Sequence, residues 1–215
     1  MGLYKEDTNT YADSIRVVNG KLAQRVEEGT EGAVKRIFTI KRTGEERTVW
    51  ERYYPGLEGK IVKGEIKTLE FGQILELLFE NGEERARVEV PFPGRLAEQI
   101  IQRIVNADLS KPISIYAGWD KIKDRNFVWL KQDGNKIKSS YLKDDPGDAP
   151  PVEQKVIFGI TKWNSEKRDT FLYDKFVKIF GESETKCETK SDSQPVSDAK
   201  PTVNNVVDED DDLPF

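Results

Sequence analysis

Gly72-Gln-Ile-Leu-Glu-Leu-Leu-Phe-Glu-Asn81-Gly82-Glu-Glu-Arg-Ala-Arg-Val-Glu-Val90-Pro-Phe-Pro-Gly94 holds two β-prone runs, 72–80 and 83–90, on either side of Asn81-Gly82. That pair suits a type I′ turn, in which both central residues need positive φ. Ala86, Val88 and Val90 alternate with Arg85, Arg87 and Glu89, the period of a strand with one buried face. Pro91 and Pro93 should stop the strand, because proline donates nothing to a ladder. From Gly94 to about Asn106, Leu96, Ala97, Ile100, Ile101, Ile104 and Val105 recur at helical spacing and predict an amphipathic helix.

Strands are expected on both sides of this unit. Upstream, 61–69 places Val62, Gly64, Ile66 and Thr68 on one face and Lys63 and Lys67 on the outer one. Downstream come 112–119, 126–132 and 135–141, the last two joined by Asp133-Gly134. Three strands, a helix and then further strands is the order of an OB-fold-like Greek-key barrel, here about 58–143 with the helix between its strands 3 and 4, and the same order also suits some other α+β barrels. Further upstream, 14–18 and 21–26 around Asn19-Gly20, with 35–41 and 46–54 joined through Thr43-Gly44, form an N-terminal β extension over 14–54. The fold class is mainly β.

After the barrel, 144–154 has linker composition and 156–160 adds a strand. Asp169 or Thr170 caps a helix over about 169–180, with Gly181 after it. Its Phe171, Leu172, Phe176, Ile179 and Phe180 are too apolar for a solvated helix and call for a partner surface, on the barrel or in another subunit. The folded part is thus 1–181. From 182 to 215 the mixture of Ser, Thr, Lys, Glu and Asp has too little apolar surface to fold.

The 215 residues contain no histidine and one cysteine, Cys187. An intrachain disulfide, a thiolate or imidazole zinc site, and Ser-His or Cys-His nucleophilic catalysis are excluded. Gly56-Leu-Glu-Gly59-Lys60 lacks the spacing of a phosphate-binding loop, and neither a dinucleotide fingerprint nor a nucleophile elbow is present. The expectation is a non-enzyme without metal or cofactor. With no apolar run of membrane length and a polar start, the expected location is cytoplasmic.

The net charge of −5 conceals an asymmetry. Residues 182–215 hold ten acids and three lysines, a net of −7, leaving 31 basic against 29 acidic residues in 1–181. The acids culminate in Asp208-Glu209-Asp210-Asp211-Asp212-Leu213-Pro214-Phe215. A solubilising tail has no need of an apolar tip. Leu213, Pro214 and Phe215 can enter a pocket while the terminal carboxylate meets a basic residue, and Asp210, Asp211 and Asp212 speed the encounter.

This tip resembles the acidic C-terminal tip of the single-stranded DNA-binding proteins of bacteria and phages, written Asp-Asp-Asp-Ile/Leu-Pro-Phe. The resemblance implies an OB-fold that coats single-stranded DNA in replication, recombination or repair. It also implies a disordered tail that recruits helicases, nucleases, primases or polymerase factors in a bacterial or phage-infected cell. The barrel starts late for the bacterial members, which points to a divergent phage type. The rival readings are a protein-interaction adaptor or recombination mediator with little DNA binding of its own, and an RNA-binding OB protein.

Sequence-tolerant strand binding needs aromatic rings for bases and cations for phosphates. The candidates are Trp50, Arg52 and Tyr54 on one strand face, Lys63 and Lys67 on another, Lys121, Lys123 and Arg125 after Trp119, and Phe127, Trp129 and Lys131 opposite Val128 and Leu130. Trp119, in line with Ile113 and Ile115, is assigned to the core.

Overall fold

The computed structural model describes residues 12–40, 43–70, 72–142, 145–157 and 160–181. It is mainly β, as the sequence predicts, with twelve strands and two helices. The strands are β1 (Asp13–Val18), β2 (Lys21–Val26), β3 (Val34–Thr39), β4 (Glu46–Tyr54), β5 (Leu57–Leu69), β6 (Gly72–Asn81), β7 (Glu84–Phe92), β8 (Ile113–Asp120), β9 (Arg125–Gln132), β10 (Asn135–Lys136), β11 (Glu153–Ile157) and β12 (Ile160–Asn164). Helix α1 spans Arg95–Ile104, between β7 and β8, and α2 spans Glu166–Phe180. The first ten strands form one open mixed sheet in the order β10-β9-β8-β5-β6-β7-β1-β2-β4-β3; β11 and β12 form a separate hairpin.

The long strand β5 is shared between two halves of the sheet. Leu57–Gly59 pair with Ile115–Ile113 of β8, and Lys60–Leu69 pair with β6. A register shift between Ile61 and Lys63 makes Val62 the extra residue of a bulge, 44% exposed. The bulge corrects the expected alternation: Ile61 faces the core before it and Gly64 and Ile66 after it, while Val62 faces out. Core-facing Leu75, Leu77, Phe79, Val88 and Val90 continue the surface, which Ala97, Ile100, Ile101 and Ile104 of α1 cover.

Two of the three predicted turns have the expected conformation. Asn19 and Gly20 have φ of 47° and 74°, and Asp133 and Gly134 have 50° and 76°. The third is shifted by one residue. Asn81 pairs with Glu84, so the loop is Gly82-Glu83 with positive φ at Gly82 alone, the type II′ pattern. Nor does Pro91 end β7, since it pairs with Ile74, and β1 borders β7 only at Ala86–Val88, where proline is not involved.

The expected strand over 135–141 is reduced to Asn135–Lys136 because α1 and the turn that follows it take its polar groups instead. Asn106 Nδ2 donates to Lys138 O (2.9 Å) and Ser140 N–H to Gln102 O (2.8 Å). Glu153, at the end of the expected linker, already lies in a hairpin, and α2 starts at Glu166 after Ser165 rather than at Asp169. Leu172 and Phe176 are buried in the main core, so α2 docks on its own chain. No helix among the described residues is long and apolar enough to cross a membrane.

The sheet curls back on itself at the β1–β2 turn. Gly20 N–H donates to Asn126 Oδ1 (2.6 Å), and a Cβ added at Gly20 would lie 2.6 Å from Trp119 N. Gly20→Ala therefore combines a left-handed backbone, about 1–2 kcal/mol, with overpacking, about 1–3 kcal/mol. Urea unfolding is expected to give a loss of about 2–5 kcal/mol. Gly29→Ala, also at positive φ but with nothing within 4 Å, tests the backbone cost alone and should lose less. Equal losses would mean that the close approach carries no energy.

Candidate nucleic-acid interface

Strands β8 and β9 present alternate residues to opposite sides. Ile113, Ile115, Val128 and Leu130 enter the core. The register pairs Ser114 with Lys131, Tyr116 with Trp129, Gly118 with Phe127 and Asp120 with Arg125 on the exterior. The Tyr116 and Trp129 rings are nearly parallel (12°, centroids 5.4 Å apart), and Phe127 adds a third ring beside Trp129 (26°, 5.4 Å). All three are half-buried.

Two glycines make room for the strip. A Cβ at Gly118 would lie 2.5 Å from Phe127 Cζ, and one at Gly56 would lie 2.6 Å from Tyr116 Cε1. The Lys131 ammonium stands 5.1 Å from the Tyr116 centroid, a cation–π distance. At the other end, the β8–β9 turn is shaped by Asp120 Oδ1, which accepts from Ile122 N–H (3.1 Å) and Lys123 N–H (3.3 Å). The turn leaves Lys121 and Lys123 exposed and Ile122 94% exposed. Arg125 is half-buried, and its Nε is buried with no hydrogen-bond partner among the described residues.

Phe127, Trp129, Lys131, Lys121, Lys123 and Arg125 thus lie together on one hairpin. Tyr116, absent from the sequence candidates, completes the strip; its alternation with Ile115 signals an outward side chain. Trp119 corrects the core assignment. It is the next-to-last residue of β8 at 38% exposure, and Gly20 meets its backbone and Cβ.

The other candidates lie elsewhere. Trp50, Arg52 and Tyr54 share the core-side face of β4, opposite Val26, Gln24 and Leu22 of β2. Tyr54 packs against the core and donates its hydroxyl to Gln24 Oε1, while Arg52 Nη2 donates to Glu31 O (2.8 Å). Lys63 and Lys67 stand beside the row Glu65, Glu76 and Glu89, paired across β5, β6 and β7. Lys67 Nζ lies 2.9 Å from both Glu76 oxygens, Lys63 pairs with Glu65, and Arg16 and Arg87 reach Glu89. This face is charge-balanced. Asp210, Asp211, Asp212, Leu213, Pro214 and Phe215 lie outside the described residues.

No group of three or more His, Cys, Asp or Glu among the described residues is arranged to hold a metal ion. No family model, curated protein or solved structure matches the chain.

The close contact at Gly118 gives a test of the strip. Gly118→Ala is expected to displace Phe127 and change the near-UV circular dichroism of the stacked rings, at a cost of about 1–3 kcal/mol. An unchanged near-UV spectrum would mean that Phe127 does not rest on Gly118.

Proposed function

We propose that the protein binds single-stranded DNA on the exterior of β8 and β9 and recruits partner enzymes of replication, recombination or repair through its C-terminal tip. The observation that carries the first half is the Tyr116–Trp129–Phe127 strip with Lys131 at one end and the Lys121–Lys123 turn at the other. Every base has a π-face, so a row of rings flanked by cations holds a strand without reading its sequence, at about 1–3 kcal/mol per stacked base. The pairing of β5 with both β6 and β8, and the entry of α1 between β7 and β8, support reading this part as an OB-type unit. In such a unit the β8–β9 turn is one of the loops that contact nucleic acid.

Titration of tryptophan fluorescence with poly-dT tests the reading. Tyr116→Ala and Trp129→Ala should each weaken binding by about 1–3 kcal/mol while the urea midpoint stays near that of the parent. Affinity should fall with salt at a log–log slope of about −0.7 per phosphate contacted. Normal binding by both folded variants would remove the strip from the site. Preference for duplex or RNA over poly-dT would replace the ligand.

The tip is tested separately. Burial of a phenylalanine contributes about 1.5–3 kcal/mol, so Phe215→Ala should weaken partner capture by about ten- to a hundred-fold with poly-dT affinity unchanged. Identical partner sets from intact and Phe215→Ala protein would end the docking role.

A further inference from the structure

The exterior of β1, β2, β4 and β3 differs in charge from the balanced face beside it. Alternation and register put Arg16, Lys21, Arg25, Arg36 and Arg47 on it, against Glu51 as the one acid on these four strands' outward positions. Glu51 is only 2% exposed. It accepts two hydrogen bonds from Arg36 (2.9 and 2.8 Å) and one from the Tyr53 hydroxyl (2.8 Å). Its charge lies beneath the surface and fixes the side chains above it. Partial burial, with Arg16, Arg36 and Arg47 nearby, holds the Arg25 guanidinium below its ordinary pKa, Glu51 opposing. Rings are interleaved with these cations. Lys21 Nζ lies 5.1 Å from the Tyr53 centroid, and the Arg36 guanidinium lies 4.7 Å from that of Phe38.

Two connections bring this face to the aromatic strip. Lys21 follows Gly20, whose N–H is bound to Asn126, the residue before Phe127. Tyr53 stands three residues before Gly56, on which Tyr116 rests; three residues span at most about 11 Å. Both surfaces are exterior, since Leu22 and Tyr54, the neighbours of Lys21 and Tyr53, face the core.

Building on the strand-binding reading above, we propose that single-stranded DNA leaving the Tyr116–Trp129–Phe127 strip crosses the seam at Gly20 and Gly56. It then continues over Tyr53 and Lys21 onto the cationic face of β2, β4 and β3, where Arg25 and Arg47 meet its phosphates. The N-terminal strands are in this view the second half of the binding site. A polyanion suits the face because Lys21, Arg25 and Arg47 are exposed on it, while its one acid, Glu51, is buried and bonded to Arg36. Bases have Tyr53 and Phe38 there, and phosphates have the guanidinium groups between them.

The test compares two oligo-dT lengths on the full chain. One has about six nucleotides, near the lower end of what a single OB-type unit covers, and the other about thirty. Lys21, Arg25 and Arg47 are exposed, so Lys21→Gln/Arg25→Gln/Arg47→Gln should keep the parent's urea midpoint. The triple variant is expected to bind the long oligonucleotide at least about ten-fold more weakly and to lower its salt slope by about 2, three phosphate contacts at about 0.7 each. Its affinity for the short one should match the parent's. Trp129→Ala should weaken both lengths alike. Unchanged affinity and slope on the long oligonucleotide, or equal loss at both lengths, would overturn the extended path while leaving the strip in place. Failure of the parent to bind either length would bring down the strand-binding reading itself, and this path with it. Should the triple variant lose its fold, Lys21→Gln/Arg47→Gln gives the same comparison with a slope change of about 1.4.

Discussion

The contact between the β1–β2 turn and β9 is the constraint on which the arrangement depends. The N-terminal strands join the rest of the sheet through β1 and β7, a parallel pairing of three residues, Asp13–Ile15 against Ala86–Val88. So short a pairing would leave four strands free to swing. The Gly20 N–H bond to Asn126 fixes a second point, and the missing side chain at Gly20 allows the turn to reach the backbone of β8. Asn126 is used twice, because its main-chain oxygen accepts from Arg95 Nη2 of α1. One residue of β9 thereby ties together the extension, the helix and the hairpin that carries the aromatic strip.

The same region solves the problem of an open edge. A strand with unpaired backbone groups invites pairing with another chain. β10 covers only Lys131 and Gln132 of β9. Along the rest, Gln99 Oε1 accepts from Val128 N–H (2.8 Å), and Leu130 O accepts from Ile137 N–H (2.9 Å). Helix α1 is therefore both core filler and edge cover. α2 is locked to it by Arg168, a buried guanidinium that reaches Glu98 (2.7 Å), Tyr141 O (2.6 Å) and Pro150 O (3.3 Å). Taking Glu98 away would leave a buried charge short of its partner, an expensive state.

Where local chemistry decided the outcome, the sequence was readable. The alternation in 83–90, the Asn19-Gly20 and Asp133-Gly134 turns and the apolar stripe of α1 all depend on neighbours within a few residues. Long-range competition decided the rest. Nothing near Val62 marks the bulge, which lies within the β5–β6 ladder shortly after β5 passes from β8 to β6. Ser139 and Ser140 have strand-like surroundings but find better partners on Gln102. In the candidate site, Phe127, Trp129 and Lys131 were legible from their alternation with Val128 and Leu130. Tyr116 carries the same signal through its alternation with Ile113 and Ile115. The Gly118 and Gly56 clearances have no local signature. Trp119 misled because it continues the Ile113, Ile115 series, yet it lies where the strand leaves the core.

Charge is partitioned rather than accumulated in this molecule. The first 181 residues carry a net of only about +2, so general attraction to a polyanion is weak, and duplex DNA, whose bases are stacked on each other, offers little to an aromatic strip. The exterior of β5, β6 and β7 cancels its charge through the Glu65, Glu76 and Glu89 row, with Arg16 of β1 reaching Glu89, while the exterior of β2, β4 and β3 buries its acid, Glu51, against Arg36 and leaves Lys21, Arg25 and Arg47 exposed. On the proposed reading, this division makes stacking the larger share of affinity and confines the salt-dependent share to one direction of travel away from the strip. On the same reading, the net of −7 over 182–215 serves partners with basic docking sites, a task for which acids on the folded body would be a competing charge. A binder arranged in this way distinguishes an unpaired strand from a duplex by what the strand exposes, and needs no group that reads a base edge.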